Sequence, residues 1–168
     1  MRRGFRNWCA IQLALIYSGC TSTHNTTLAE LPAIEQEAYV VLTDQLNQFD
    51  LGEDHSLLII CTTIRSEREP IRISASLLDA LASAAPKALN VKFIDGTTCH
   101  QNNFGATLTS DGTRALNFFG SRHQNPETKE VSWVAGSTWE SLWGGGEIYK
   151  IIIEDGIPRA VTTGSWDT

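Results

Sequence analysis

The apolar positions near the start of the chain recur every three or four residues, which is the period of an amphipathic helix. They are Leu31, Ile34, Ala38, Val41, Leu42, Leu46 and Phe49. Pro32 suits the first turn of a helix, and Asp50 and Gly52 are typical of residues that end one. The pattern predicts one long N-terminal helix, from about Pro32 to Phe49. Its opposite, polar face carries Gln36, Thr43, Gln45 and Gln48.

A continuous apolar run over Leu57–Ile64 has the length and the β-branched composition of a strand buried inside a sheet. The charged segment Arg65–Pro70 is then expected to be a loop. A second, short helix is predicted over Ser76–Ala85, and a further strand over Leu89–Ile94. Asp95 and Gly96 predict a turn directly after that strand.

The last sixty or so residues alternate short apolar segments with turn signals, which is typical of an antiparallel meander. The turn signals are Asp111-Gly112, Asn125-Pro126, Gly144-Gly145-Gly146 and Asp155-Gly156. Helices that come first and hairpins that come last predict an α+β domain over residues 31–168. In it, the long N-terminal helix packs on a mainly antiparallel sheet that ends in a C-terminal β-meander.

Residues 1–19 have a different character from the rest of the chain. They begin with three arginines and no acidic residue, and an apolar run over Trp8–Ser18 follows. That run is too short to cross a bilayer as a helix, which takes roughly 20 residues. Its length and its basic start are typical of a secretory signal. The segment ends in Tyr17-Ser18-Gly19-Cys20.

With small residues directly before a cysteine, this segment resembles the signal peptide of a bacterial lipoprotein precursor, although Tyr17 departs from the family's Leu, Val or Ala. The resemblance implies cleavage after Gly19 and acylation of Cys20, so that the lipid bilayer becomes a partner. It also implies a signal peptide over residues 1–19 and a lipid anchor with a flexible tether over residues 20–30. Thr21, where an inner-membrane protein of the family has Asp, implies the outer membrane facing the periplasm if the host is diderm.

Composition limits the function further. The chain has 168 residues, of which 42% are hydrophobic, and this is enough for one domain with a core of its own. It carries 13 basic and 19 acidic residues, a net charge of −6. Removal of residues 1–19 would take away three arginines and leave a net charge of −9. Such a chain lacks the basic surface that binding to nucleic acid requires.

Two cysteines, Cys61 and Cys99, lie in the predicted domain. In an exported chain such a pair is typical of a disulfide, and two unpaired thiols are the alternative. His100 follows Cys99, but neighbouring residues of an extended chain point to opposite faces, so the pair is a poor catalytic dyad. Zinc sites need three or four ligands at recognisable spacings. We therefore expect no catalytic residues, no metal site and no cofactor.

Aromatic residues concentrate in the C-terminal third of the chain. They are Phe118, Phe119, Trp133, Trp139, Trp143, Tyr149 and Trp166. We expect Trp133 and Tyr149 to fill the core. Trp139 and Trp143 lie beside the glycine run and are the candidate exposed pair that would bind a glycan or another protein of the envelope.

These observations favour a membrane-anchored envelope lipoprotein whose domain is a non-catalytic binding or assembly module. A cell-envelope hydrolase is one alternative, and it would need a cleft in which a histidine, a carboxylate and a hydroxyl converge. An immunity or inhibitor protein is another alternative, because an acidic surface suits a basic partner.

Overall fold

The structure is a computed structural model that describes residues 28–48, 57–87, 90–140 and 143–167, with the side chains at 139, 140 and 143 left out. Two α-helices are present in these ranges, α1 (Ala33–Gln48) and α2 (Ala75–Ala84), with two 3-10 turns, η1 (Leu28–Glu30) and η2 (Gly96–Thr98). The strands are β1 (Leu58–Ser66), β2 (Glu69–Ile71), β3 (Val91–Asp95), β4 (His100–Gln101), β5 (Thr107–Leu108), β6 (Leu116–Gln124), β7 (Val131–Glu140), β8 (Trp143–Glu154) and β9 (Ile157–Asp167).

Seven strands form one sheet in the order β2-β1-β6-β7-β8-β9, and β3 shares with β2 the edge of β1 that faces away from β6. Strand β1 runs parallel to β3 and to β6, while all other neighbours in this sheet are antiparallel. Strands β4 and β5 make a separate small hairpin. The predicted α+β class, with a mostly antiparallel sheet and a C-terminal run of hairpins, is confirmed.

The long N-terminal helix of the prediction is wrong. The described part of the chain has two short helices instead, and α1 accounts for 16 residues. The apolar period begins before α1, because Leu31 also faces the core. The N–H of Leu31 is bonded to the carbonyl of Leu28 in a 3-10 turn, so Leu31 is not part of the α-helix. Phe49, at the other end of the prediction, lies outside the described residues.

The expected charged loop over Arg65–Pro70 is also wrong. Its ends pair as strands β1 and β2, and only two residues make the turn between them. Glu67 has a φ of 50° and Arg68 a φ of 77°, the left-handed backbone that a tight hairpin turn requires. The sequence pattern does not predict this hairpin, because its turn consists of charged residues and contains neither Gly nor Asn.

The helix α1 packs across strands β6 to β9, and α2 packs beside it against β3. The buried residues of α1 include Ala38, Val41, Leu42 and Leu46, as its apolar period predicts. From the sheet, Trp133 and Tyr149 are fully buried against the helix, and this confirms their predicted place in the core. The core therefore lies on one face of the sheet, and the opposite face is left for other contacts.

Buried polar side chains join α1 to the rest of the core. Gln45, on the predicted polar face, is only 6% exposed, and its side-chain amide donates to the Tyr149 hydroxyl at 2.7 Å. That hydroxyl donates in turn to the Asp44 carboxylate at 2.9 Å. Because it is buried, the pKa of the Tyr149 hydroxyl is raised above its usual value. The hydroxyl therefore stays protonated and keeps both hydrogen bonds.

Two further carboxylates of α1 are bound by neighbouring elements. Glu37 accepts hydrogen bonds from the Trp133 indole at 3.0 Å and from the Arg122 guanidinium at 2.7 Å. Glu35 is buried and accepts from the backbone N–H and the hydroxyl of Ser74, the residue that caps the N-terminus of α2. Both carboxylates are hydrogen-bonded, and the position of Glu35 also suits the positive end of α2.

Replacing Tyr149 with Phe should lower the free energy of unfolding by about 1–3 kcal/mol, because the buried amide of Gln45 would lose its acceptor. Urea denaturation followed by circular dichroism measures this change. Tyr39→Phe is the matched control, since Tyr39 is half-buried on the same helix and its hydroxyl has no partner among the described residues. A loss of stability for Tyr149→Phe no larger than for Tyr39→Phe contradicts the assignment.

Candidate functional site

The face of the sheet opposite α1 carries a cleft whose floor is built by β1 and β6. Because the two strands are parallel and in register, residues at alternate positions pair across them on the same face. The pairs on this face are Cys61 with Asn117, Thr63 with Phe119 and Arg65 with Ser121. Over three successive rungs, the side chains of the floor therefore include first a cysteine, then an aromatic ring and then a guanidinium.

The wall of the cleft is the segment between β3 and β6, residues 96–115, which includes η2 and the hairpin of β4 and β5. It begins at Gly96, where the chain passes directly over β1. A Cβ atom at Gly96 would lie 2.6 Å from the carbonyl oxygen of Thr62, so only glycine allows this approach. From the wall, His100, Gln101 and Thr107 line the cleft.

Cys61 and Cys99 join the wall to the floor. Their sulfur atoms are at covalent bonding distance, and their Cα atoms are 6.4 Å apart, within the range that a disulfide spans. This geometry is compatible with the disulfide that the sequence predicts. Cys61 is buried in β1 and Cys99 follows η2, so the bond would hold the wall against the sheet close to the point where Gly96 crosses it.

Two turns keep the far part of the wall in shape. The side chain of Asn102 accepts hydrogen bonds from the backbone N–H groups of Phe104 and Ala106. The Asp111 carboxylate accepts from the Thr109 hydroxyl and from the N–H of Thr113. These hydrogen bonds, that from Thr109 first, lower the pKa of Asp111 to about 2, so its side chain is ionised at neutral pH. The wall is thus internally bonded as well as tied to β1.

The cleft has a volume of about 520 Å³, which is within the range of small-molecule sites. Its polar lining consists mainly of hydroxyl and amide groups, from Thr63, Gln101, Thr107, Asn117 and Ser121. Arg65 and His100 are its ionisable side chains, and no Asp or Glu is among the described residues that line it. In a chain of net charge −6, this cleft is a local exception to the overall acidity.

An aromatic pair supports the apolar part of the floor. The rings of Phe119 and Trp166 are 5.7 Å apart and tilted by 36°. Trp166 lies over Gly136, where a Cβ atom would be 2.7 Å from the indole ring, and its N–H donates to the Ala135 carbonyl at 3.4 Å. Because Gly136 has no side chain, Trp166 can lie over it, and in this position Trp166 packs against Phe119.

Ser121 is the residue of the cleft that comes nearest to catalytic geometry, since its hydroxyl oxygen is 3.3 Å from Nε2 of His123. His123 lies in β6, two residues after Ser121. Within the described ranges, no carboxylate is hydrogen-bonded to His123. An activated serine needs a base that is itself oriented by a third group, so the pair does not complete a hydrolase site.

The other predicted site residues lie outside what the structure describes. Cys20 and the predicted signal peptide precede residue 28, and the side chains of Trp139 and Trp143 are among those left out. The register of β7 with β8 shifts between Thr138 and Glu140. Residues 28–30, the end of the predicted tether, form η1, from which Leu28 packs against the core.

Sequence reasoning missed the residues that make the cleft. Arg65 belonged to a segment that reads as a loop, and Phe119 and Trp166 were two of seven aromatic residues with nothing to distinguish them. The alternation of Cys61, Thr63 and Arg65 was a usable signal, because period two puts all three on one face of a strand. Their partners on β6 could not be found, since pairing between distant strands depends on the topology.

Within the described ranges, neither helix is long and apolar enough to span a bilayer. In the same ranges, no group of three or more His, Cys, Asp or Glu side chains is placed to hold a metal ion. Comparison with protein-family models, with curated proteins and with solved structures gave no match for this chain.

Reduction of the Cys61–Cys99 pair should lower the free energy of unfolding by about 4 kcal/mol, because a bond that closes 38 residues restricts the unfolded chain by that amount. Urea denaturation with and without dithiothreitol measures the difference. The control is the double variant Cys61→Ala, Cys99→Ser, on which dithiothreitol should have no effect. Equal stability of the wild type in both conditions contradicts the predicted bond.

Proposed function

We propose that this chain is a cell-envelope lipoprotein, anchored to the membrane through acylated Cys20, whose domain over residues 31–168 is a non-catalytic binding module. The observation that carries the proposal is the cleft on the open face of the sheet. It has the volume of a small-molecule site, its polar lining consists mainly of hydroxyl and amide groups, and its wall is joined to β1 through Cys61 and Cys99. Such a preformed cleft binds with little loss of conformational entropy.

The cysteine pair supports a location outside the cytoplasm. Disulfides persist in oxidising compartments such as the periplasm and the cell surface, and they are rare in the cytosol. Cys61 and Cys99 are at bonding distance in the fold, whereas the signal that would export the chain lies at its other end, in residues 1–19. The two observations are independent and support the same compartment.

The composition of the cleft favours binding over hydrolysis. A hydrolase of the envelope would bring a carboxylate to a histidine and a hydroxyl, and the described lining supplies only the last two. Ser121 and His123 also lie on one strand at an exposed position, where water competes for their hydrogen bond. We assign the cleft to ligand capture.

The proposed anchor would hold the domain close to the membrane. Acyl chains contribute about 0.8 kcal/mol for each buried methylene group, so two or three chains on Cys20 would keep the protein on the bilayer. From Cys20 to Leu28, the first described residue, eight residue steps reach at most about 28 Å. A ligand captured in the cleft is therefore captured near the surface of the bilayer.

Acylation is tested by growing a bacterial host that expresses the full chain with radiolabelled palmitate. The wild type should incorporate label and remain in the membrane fraction. Cys20→Ser should lose both properties, because it removes the thiol that carries the diacylglyceryl group.

Cys9→Ser is the matched control, since Cys9 lies within the apolar run of the signal and should not affect labelling. Label that persists in Cys20→Ser, or that is absent from the wild type, overturns the anchor. Neither result depends on what occupies the cleft.

A further inference from the structure

We propose that the cleft binds a small organic monoanion, a carboxylate on a flat apolar body, with the carboxylate on Arg65 and the body against Phe119. This inference rests on the proposed function, since it names the ligand class of the binding module. It follows from three properties of the floor: a guanidinium that no described carboxylate pairs with, hydroxyl and amide groups beside it, and an aromatic ring one rung away along the same face.

The guanidinium of Arg65 is available to a ligand. Arg65 is exposed at the end of the cleft floor, and no carboxylate pairs with it among the described residues. Other cations of this acidic chain are already paired, Arg122 with Glu37 and Arg159 with Glu154. A planar guanidinium forms two parallel hydrogen bonds with a carboxylate, a geometry that an amide or a hydroxyl cannot match.

The groups around Arg65 favour an anion too. Ser121 is its partner across the two strands and offers a hydroxyl donor at the same rung. His100 lines the same cleft from the wall and contributes ring N–H. Since no acidic side chain is among the described lining, nothing there repels a carboxylate or competes for the guanidinium.

The apolar body of the ligand is inferred from the position of Phe119. Phe119 lies on the same face as Arg65, one rung away along the floor, and its ring packs against that of Trp166. Two residues along a strand span about 6.6 Å and neighbouring strands lie about 4.8 Å apart, so the backbone positions of Arg65 and Phe119 are about 8 Å apart on the diagonal, and a ligand that reaches both side chains needs a short linker between its ring and its carboxylate. 3-Phenylpropionate has this form, with two methylene groups between its ring and its carboxylate.

The charge of the whole chain restricts the ligand to a small one. A net charge of −6 repels a polyanion at long range, so nucleic acids and highly charged polysaccharides are poor candidates. A monoanion is repelled far less, and once inside the cleft it meets Arg65 at close quarters. Size, a single charge and a flat body together define the class.

The test is isothermal titration calorimetry of the full chain with 3-phenylpropionate. One saturable site is expected. 3-Phenylpropanamide, which has the same shape without the charge, should bind at least about tenfold more weakly, as should propionate, which lacks the ring. Inorganic sulfate should not compete at equal concentration. All four ligands are tested on the wild type, so these measurements need no variant to fold.

Arg65→Gln should weaken 3-phenylpropionate binding by about tenfold or more, because it removes a charge-assisted hydrogen bond. Arg159→Gln is the matched control: it loses the same charge at an exposed position on β9, away from the cleft, and should bind as the wild type does. Phe119→Leu should weaken 3-phenylpropionate but leave propionate unchanged.

The proposal is overturned by any of three results: no saturation up to about 10 mM ligand, equal affinity for the acid and the amide, or unchanged binding in Arg65→Gln. These outcomes are distinguishable from a failure of the anchor. Cys20→Ser should lose palmitate labelling, but it should bind 3-phenylpropionate as well as the wild type does.

Discussion

The contact between α1 and the sheet is the interaction on which the rest of the structure depends. It combines apolar packing, around Leu42 and Leu46, with hydrogen bonds that join carboxylates of the helix to Trp133 and Tyr149 of the sheet. Aromatic side chains suit this role because each buries a large apolar body and keeps one donor at its tip. Packing alone would tolerate a shift of the helix along the sheet, whereas a buried amide such as Gln45 is satisfied in one position only.

Because the core occupies one face of the sheet, the other face is open to a different use. There the segment between β3 and β6 leaves the sheet, crosses β1 at Gly96 and returns, and the cleft lies between this wall and the floor. Parallel pairing of β1 with β6 is what requires such a crossing, since parallel neighbours cannot be joined by a tight hairpin. The same crossing brings Cys99 to Cys61. The cleft thus results from the parallel connection that joins β3 to β6, the first strand of the meander.

Local patterns predicted what depends on local energetics. The helical period predicted the buried face of α1, and Trp133 and Tyr149 were placed correctly in the core because large aromatic residues at alternate strand positions fill the layer beneath a helix. The predictions failed where a local signal was overridden by a contact from elsewhere. Gln45 reads as a surface residue until Tyr149 meets it, and Arg65 reads as part of a loop until β2 pairs with it through Pro70.

The sequence by itself determined the α+β class, the C-terminal run of hairpins and the cysteine pair as a candidate disulfide, and it alone carries the resemblance to a lipoprotein signal, because each depends on residue types at short spacings. Only the tertiary structure decided that β6 joins β1 in parallel register, and with it that Arg65, Phe119 and Ser121 line one cleft. The physical reason is that strand pairing joins residues more than fifty positions apart through backbone groups that every residue shares, so no side-chain pattern specifies the partner.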